Sequence, residues 1–223
     1  MGKKGIFIAF EGLDGSGKTT QLQALRDYML NEKNTKCKEE CEPSDGLLGI
    51  MARGAVKKKI YFEPQTMALL FAADRYEHVT NDIKPYIDKG FHVLSDRYVL
   101  SNFAYQGMTC DFETIYNYNK AAMDLLMPDL TVLIDAAPEK SMERIEETRL
   151  KKELFDDDGG AISPNYLSAI EWLAKKGLVE IIGGCSPAGD NGVPKVLIVD
   201  GNRHEAAVSR EIISYAEPLL FSS

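Results

Sequence analysis

Long apolar runs, a basic surplus and a paired cysteine pattern are all missing from this chain of 223 residues. No stretch approaches the ~18 consecutive apolar residues that a membrane-crossing helix needs, and the apolar segment Gly5–Phe10 is too short for the core of a secretory signal. A soluble, cytoplasmic protein that engages no membrane is the expectation. Lysine and arginine number 26 against 34 aspartates and glutamates, a formal net charge of −8. That balance argues against the broad basic face on which nonspecific nucleic-acid binding depends, so any anion site must be built locally. Histidine is scarce, and the four cysteines, Cys37, Cys41, Cys110 and Cys185, are scattered. Cys37 and Cys41 lie near each other, but no second pair or histidine cluster follows to complete a zinc site, and reduced thiols are expected.

What is present is an alternation. Hydrophobic residues make up 44% of the chain, enough for one substantial core, and no linker, repeat or low-complexity segment divides residues 1–223. "IFIAF" (6–10) reads as a buried parallel strand: short, continuously apolar and followed by glycines. After Gly17 a helix is expected, with Leu22, Leu25, Met29 and Leu30 on one face. A second strand covers Lys36 to Cys41, and Pro43, Ser44 and Asp45 mark the loop after it. Pro64 to Lys89 reads as helix, kinked or broken at Pro85. "FHVLSDRY" and "PDLTVLIDAAP" return to strand, and "EKSMERIEETRLKKELF" resumes a helix. "LVEIIGG" and "KVLIVDG" flank a hairpin-like excursion at 185–192, read as a surface loop. Such alternation predicts an α/β fold, a parallel sheet with helices on both faces.

"FEGLDGSGKTTQ" (10–21) carries the first chemistry. Gly12 to Thr19 matches G-x-x-x-x-G-K-[ST] between a predicted strand and a predicted helix. Here glycines let backbone N–H groups converge on phosphate oxygens, Lys18 supplies a point charge, and Thr19 offers a hydroxyl to Mg²⁺. The predicted ATP-binding segment is therefore Gly12, Leu13, Asp14, Gly15, Ser16, Gly17, Lys18, Thr19 and Thr20. Three further clusters are expected in loops or helix starts beyond the strand ends: "EPSDG" (42–46), "LLFAADRYE" (69–77) and "SDRYVLSNFAYQG" (95–107). Alone, Arg75 reads as a solvated helix charge and Phe71 as a core residue, whereas Arg97, after Asp96 at a strand end, suits a phosphate.

Together, these segments and "PDLTVLID" resemble the thymidylate kinase family across nearly the whole chain, "DRY…S…AYQG" being the most specific part. The resemblance implies a three-layer P-loop fold with five parallel strands and a small mobile lid at about 144–163. It implies transfer of phosphate from ATP to dTMP with Mg²⁺, and a homodimer. Phe71 would stack on the thymine, Arg75 would bond the base edge, and Asn102 and Gln106 are further base-side candidates. Tyr105 would lie against the deoxyribose, Arg97 would hold the acceptor phosphate, Asp14 would reach the 3′-hydroxyl or that phosphate, and Pro43 joins the acceptor set; Tyr166, on the next predicted helix, has two readings, facing that pocket or packing. Asp96 has two readings, orienting Arg97 or standing near Mg²⁺ with Thr19, and the second is favoured.

The acceptor is itself an anionic phosphate, so alignment and charge stabilisation suffice and no catalytic histidine is expected among His78, His92 and His204. Family members carry a catalytic arginine either inside the phosphate loop or in the lid. Gly15 occupies the loop position, which implies the lid type common in bacteria, with Arg149 the first candidate and Arg144 the second. The acidic stretch after Leu154 departs from the lid pattern. "VDGN" (199–202) falls where related kinases hold adenine through backbone groups. The rival readings are another deoxynucleotide or deoxynucleoside kinase, which could use Glu11 or Glu42 as base, and a P-loop regulatory ATPase.

Overall fold

The structure, a computed structural model, describes residues 4–148, 158–183 and 192–221. A parallel sheet lies at its centre: β1 (Phe7–Glu11), β2 (Cys37–Cys41), β3 (His92–Asp96), β4 (Leu130–Asp135), β5 (Glu180–Ile182) and β6 (Lys195–Asp200). Their order is β2-β3-β1-β4-β6-β5, and every pair is parallel. The count is six rather than the five expected. The extra strand comes from "LVEIIGG", whose three-residue β5 pairs in register with β6, Glu180 opposite Lys195 and Ile182 opposite Leu197. The two strands that were to flank a hairpin therefore run in the same direction, and most of the excursion between them lies outside the described residues.

β1 explains the layering. All five of its residues are buried, with Phe7 and Ala9 in one core cluster and Ile8 and Phe10 in the other. A strand covered on both faces has no polar side, which is why it reads as a continuous apolar run. The first cluster packs against α8 (Gly159–Lys175) and α5 (Val99–Gln106) through Tyr166, Ile170, Leu100 and Phe103; the second against α1 (Lys18–Asn31) and α9 (Glu205–Phe221) through Leu25, Met29, Ile212 and Ala216. On α1, Leu22, Leu25 and Met29 are buried as expected, but Leu30 is 44% exposed, because one residue past Met29 turns it away from that stripe. β2, Cys-Lys-Glu-Glu-Cys, tolerates its charges because it is an edge strand.

The helical segment from Pro64 continues as α3 (Pro64–His78), a π-helical turn (Val79–Ile83) and α4 (Lys84–Asp88). Pro85 lacks an N–H and its ring crowds the carbonyl four residues back, and the chain accommodates this by widening just before it instead of breaking. The remaining helices are α2 (Leu47–Val56), α6 (Phe112–Leu125) and α7 (Pro138–Thr148). β1 lies between β3 and β4, so successive connections leave it in opposite directions and open a crevice at its carboxyl end.

Candidate active site

The loop after β1 takes its shape from three glycines with positive φ: Gly12 (+138°), Gly15 (+75°) and Gly17 (+103°). A Cβ on Gly12 would stand 2.5 Å from the Ile134 carbonyl oxygen, and one on Gly15 2.2 Å from that of Ser141 in α7. The loop is thus pressed against β4 on one side and α7 on the other. Lys18, at the start of α1, folds back to donate from Nζ to the Leu13 carbonyl at 2.8 Å and lies 3.8 Å from Asp14. Burial, together with repulsion from Arg97, pushes its ammonium down to about 8, against the pull of Asp96, Asp14 and Glu11. An anion brought beside such an ammonium would raise its pKa again. The Thr19 hydroxyl donates to Asp96 Oδ2 at 2.6 Å.

Arg97 gathers the side chains at the middle of the site. It follows β3 in the left-handed region, φ 75°, with its N–H donating to the Phe10 carbonyl at 2.8 Å. Its guanidinium donates to Asp14 Oδ1 (2.5 Å), Ser101 Oγ (2.8 Å), Tyr105 OH (3.0 Å) and Tyr166 OH (3.0 Å), and lies 5.0 Å from the Tyr105 ring centre. Behind it, the buried Glu11 carboxylate accepts from the N–H groups of Tyr98 (2.8 Å) and Ser101 (3.1 Å) and from the Ser101 hydroxyl (2.6 Å). Glu11 therefore caps the start of α5, and burial raises its pKa in spite of these bonds. Asp96 makes its side-chain bond to Thr19, while Asp14 is the carboxylate bonded to Arg97.

Arg75 is 1% exposed and lies within α3, so "LLFAADRYE" is neither a loop nor a helix start. The solvated-charge reading of Arg75 alone is overturned. Its guanidinium pairs with Glu42 (2.7 Å), donates to the Tyr98 carbonyl (3.0 Å) and to the amide oxygens of Asn102 (3.3 Å) and Asn119, and leaves Nε buried without a partner. Glu42 continues the chain to His78 Nδ1 (3.4 Å), whose Nε2 meets Glu40 (3.2 Å). Burial opposes a charge on His78, but the two carboxylates outweigh it and raise its pKa to about 9. His78 is buried between these two carboxylates; the His92 ring accepts the Ile6 N–H at 3.1 Å, and His204 is exposed.

One cleft of about 690 Å³ joins these groups. Asp14, Gly15, Gly17, Lys18, Thr19 and Thr20 line its phosphate-loop end with Asp96 and Arg144; Arg97 and Tyr105 line its middle; Pro43, Phe71, Arg75, Asn102 and Gln106 line the far end. Gly12, Leu13 and Ser16 shape the loop without lining this cleft. Tyr166 also lies outside its lining, 1% exposed, with its hydroxyl donating to the Gly12 carbonyl (3.2 Å) and accepting from Arg97. Arg144 spans the loop, donating to the carbonyls of Gly15 (3.1 Å) and Ser16 (3.3 Å). Arg149 and the middle of the expected lid lie outside the described residues.

The family model described as thymidylate kinase matches residues 10–159. The chain belongs to the thymidylate kinase family. Relatives named thymidylate kinase include one from Carboxydothermus hydrogenoformans, 41% identical over 69% of this chain and 78% of its own length. Others are from Bifidobacterium longum, 37% identical over 69% of this chain and 78% of its own length, and Mesoplasma florum, 36% identical over 77% and 82%.

Several groups of this family member were not legible in its sequence. Arg53 on α2 lines the cleft, its guanidinium donating to the carbonyls of Pro43 (2.7 Å) and Ser44 (2.5 Å). Asp74 fixes that same loop by accepting from the Ser44 N–H (2.8 Å) and hydroxyl (2.6 Å). A lone arginine or aspartate on a helix carries no spacing signal, and only the position of Arg53 one helix after "EPSDG" pointed to the cleft. Asn119 of α6, completely buried, joins the Arg75 network from a segment with no motif at all. A smaller pocket of about 170 Å³ opens on the other side of the loop, lined by Ser16, Arg144, Gly201 and Arg203, where "VDGN" ends β6.

Proposed function

We propose that the protein transfers the γ-phosphoryl group of ATP to the phosphate of dTMP, yielding dTDP and ADP, with Mg²⁺ as cofactor. The observation that carries this reading is continuity: one cleft runs from Lys18 and Thr19, past Arg97, to Phe71, Arg75 and Gln106. Donor loop, acceptor-phosphate cation and base pocket thus share one space, which is what in-line transfer between two nucleotides requires.

Lys18 would sit against the β- and γ-phosphates, and the pocket beside Gly201 would take the adenine. Arg97, with Arg53 across the cleft, would hold the acceptor phosphate; Asp14 would pair with Arg97 and meet the 3′-hydroxyl. The Tyr105 ring, fixed by its bond to Arg97, would close the sugar pocket where a 2′-hydroxyl would crowd it. Phe71 would stack on the thymine and Arg75 would meet the base edge at the far end of the cleft. Arg144, already over the loop, is the described cation best placed to meet the transferred group, and Arg149 is the further lid candidate. Tyr166 acts from beneath, holding Arg97.

Thr19 and Asp96 present adjacent hard oxygens, and no cluster of three or more histidine, cysteine or acidic ligands gathers among the described residues. That donor set fits an ion which takes one or two protein oxygens and completes its shell with phosphate and water, as Mg²⁺ does. When bound, Mg²⁺ would neutralise charge on the phosphate oxygens.

A deoxynucleoside kinase would need a free carboxylate near the sugar 5′-hydroxyl. Glu11 and Glu42, the carboxylates weighed for that role, are both buried and committed, to the start of α5 and to Arg75 and His78. A cytoplasmic setting accords with free thiols at Cys37, Cys41 and Cys110 and with the absence, among the described residues, of a helix long and apolar enough to cross a membrane. Homodimerisation is supported by α2 and α3, which pack on each other and expose Leu47, Ile50, Met51, Leu69 and Tyr76.

The test is ADP release with ATP and Mg²⁺ over dTMP, dUMP, dCMP, dAMP, AMP, thymidine and no acceptor. Turnover led by dTMP, with little from thymidine and little hydrolysis without acceptor, is expected. Thymidine-led turnover would make it a nucleoside kinase, and acceptor-independent hydrolysis a regulatory ATPase.

A further inference from the structure

Three side-chain amides run in series from Arg75 to Gln106 in the cleft wall, and their hydrogen-bond polarity is fixed from one end. Asn119 Oδ1 accepts from Arg75 Nη1, and its Nδ2 donates to the Ile115 carbonyl (2.8 Å) and to Asn102 Oδ1 (2.8 Å). Asn102 Oδ1 also accepts from Arg75 (3.3 Å), and Asn102 Nδ2 donates to Gln106 Oε1 (2.9 Å). A guanidinium can only donate and a backbone carbonyl can only accept. Turning the Asn119 amide over would set donor against donor at Arg75 and acceptor against acceptor at Ile115. Asn119 is 0% exposed, so bulk solvent cannot reach it to repair either clash.

The consequence reaches the cleft wall two residues away. With Asn119 and Arg75 both donating to its oxygen, the nearer bond coming from Asn119, Asn102 must donate on its nitrogen, and Gln106 must accept on its oxygen. Gln106 Nε2 makes no hydrogen bond among the described residues, and Gln106 lines the cleft. Arg75 Nε–H is buried and unpartnered, and Glu42 in the same wall has its oxygens directed to Arg75 and His78. The donor left over in the wall is thus Gln106 Nε2, while the acceptors are turned inward.

We propose that Asn119, which touches no substrate, is the positioning residue that sets this donor polarity and thereby makes the wall select pyrimidines with a carbonyl oxygen at the 4-position over those with an amino group there. The proposal rests on the dTMP kinase reading. An oxo group meets the wall as an acceptor, whereas an amino group brings a donor to a donor and leaves buried N–H groups unpaired, the arrangement that discriminates most strongly. The thymine methyl is not part of this readout.

The experiment compares kcat/KM for dTMP, dUMP and dCMP in the wild type, in Asn119→Leu, which removes the lock at similar volume, and in Asn119→Asp, which keeps the acceptor for Arg75 but loses the donor to Asn102. Both variants are first checked for wild-type-like circular dichroism and a cooperative melt. The dTMP-to-dCMP ratio is expected to fall about tenfold or more in both, mostly through the KM for dTMP, while the dTMP-to-dUMP ratio stays within about twofold. A merely structural role would lower all three substrates together; unchanged ratios in whichever variant folds overturn the proposal. A wild type that does not turn over dTMP overturns the functional reading instead. Should neither variant fold, Asn102→Leu, which cuts the same series one link later, must show the same pair of ratios or the proposal fails.

Discussion

Lys18 carries a cost that its contacts with the Leu13 carbonyl and Asp14 offset only in part. Its ammonium is buried and held down to about 8, while the same lysine in an unfolded chain titrates near 10.5. Between those values the unfolded chain binds the extra proton, so stability rises with pH across that window, and below about pH 8 the full penalty of burying the charge is present. Lys18→Met is therefore expected to melt higher than the wild type below pH 8, by at most about 3 kcal/mol, with the difference shrinking towards pH 10.5. Melts of both proteins from pH 6 to 10 check this, and a pH-independent difference would remove the charge from the explanation. Phosphoryl transfer in the variant should fall by at least about a hundredfold, because electrostatic stabilisation at the transferring group is lost. Arg97 makes the complementary case. Its four side-chain bonds use the width of a planar fork, and Arg97→Lys keeps the charge without that geometry. The KM for dTMP is expected to rise by about tenfold to a hundredfold with the KM for ATP little changed, which steady-state kinetics with each substrate varied in turn would show. Both residues were legible in the sequence, one by its loop motif and one by its place at a strand end.

At the scale of elements, the decisive contact is between the phosphate loop and α7. Gly15 has φ 75°, and the position its Cβ would take is occupied by the Ser141 backbone, with the Ile145 side chain beside it. This close approach brings Arg144 to the carbonyls of Gly15 and Ser16. It also gives a physical reason why the loop carries no arginine of its own: a side chain at 15 and α7 in this position exclude each other. Gly15→Ala should cost about 1–2 kcal/mol for its backbone conformation alone, with the clash added, and lower kcat by displacing Arg144. A melt combined with kcat measurement decides it; a variant with unaltered kcat would mean that Arg144 plays no part at the transferred group. The sequence showed the glycine but not the reason for it, since nothing in "EKSMERIEE" announces which turn of that helix meets the loop. The same limit hid Glu11 as the cap of α5 and Asn119 as a partner of Arg75, because pairings across 90 and 44 residues leave no local period to detect. Local patterns did reveal β1, β3 and β4 through their buried inner residues, whereas nothing in "LVEIIGG", with three strand residues at a sheet edge, announced that it would run parallel to β6.

For the whole molecule, a net charge of −8 coexists with a cleft into which Lys18, Arg53, Arg75, Arg97 and Arg144 converge. These cations come from the loop after β1, from α2, α3 and α7, and from the end of β3, so parts distant in sequence owe their alignment to one parallel sheet. An anion that bridges them ties those parts together, and its binding free energy adds to the stability of the entire fold. Saturation with dTMP at about a hundred times its Kd should contribute about 2.7 kcal/mol, a rise in Tm of about 5–10 °C for a chain of this size. Thymidine at the same concentration lacks the phosphate that Arg97 and Arg53 would hold, so its shift should be much smaller. The difference should collapse in Arg97→Lys, where the phosphate no longer meets a fork. Equal shifts from dTMP and thymidine in the wild type would mean that the arginines at the middle of the cleft serve the fold alone, and that the acceptor phosphate binds elsewhere.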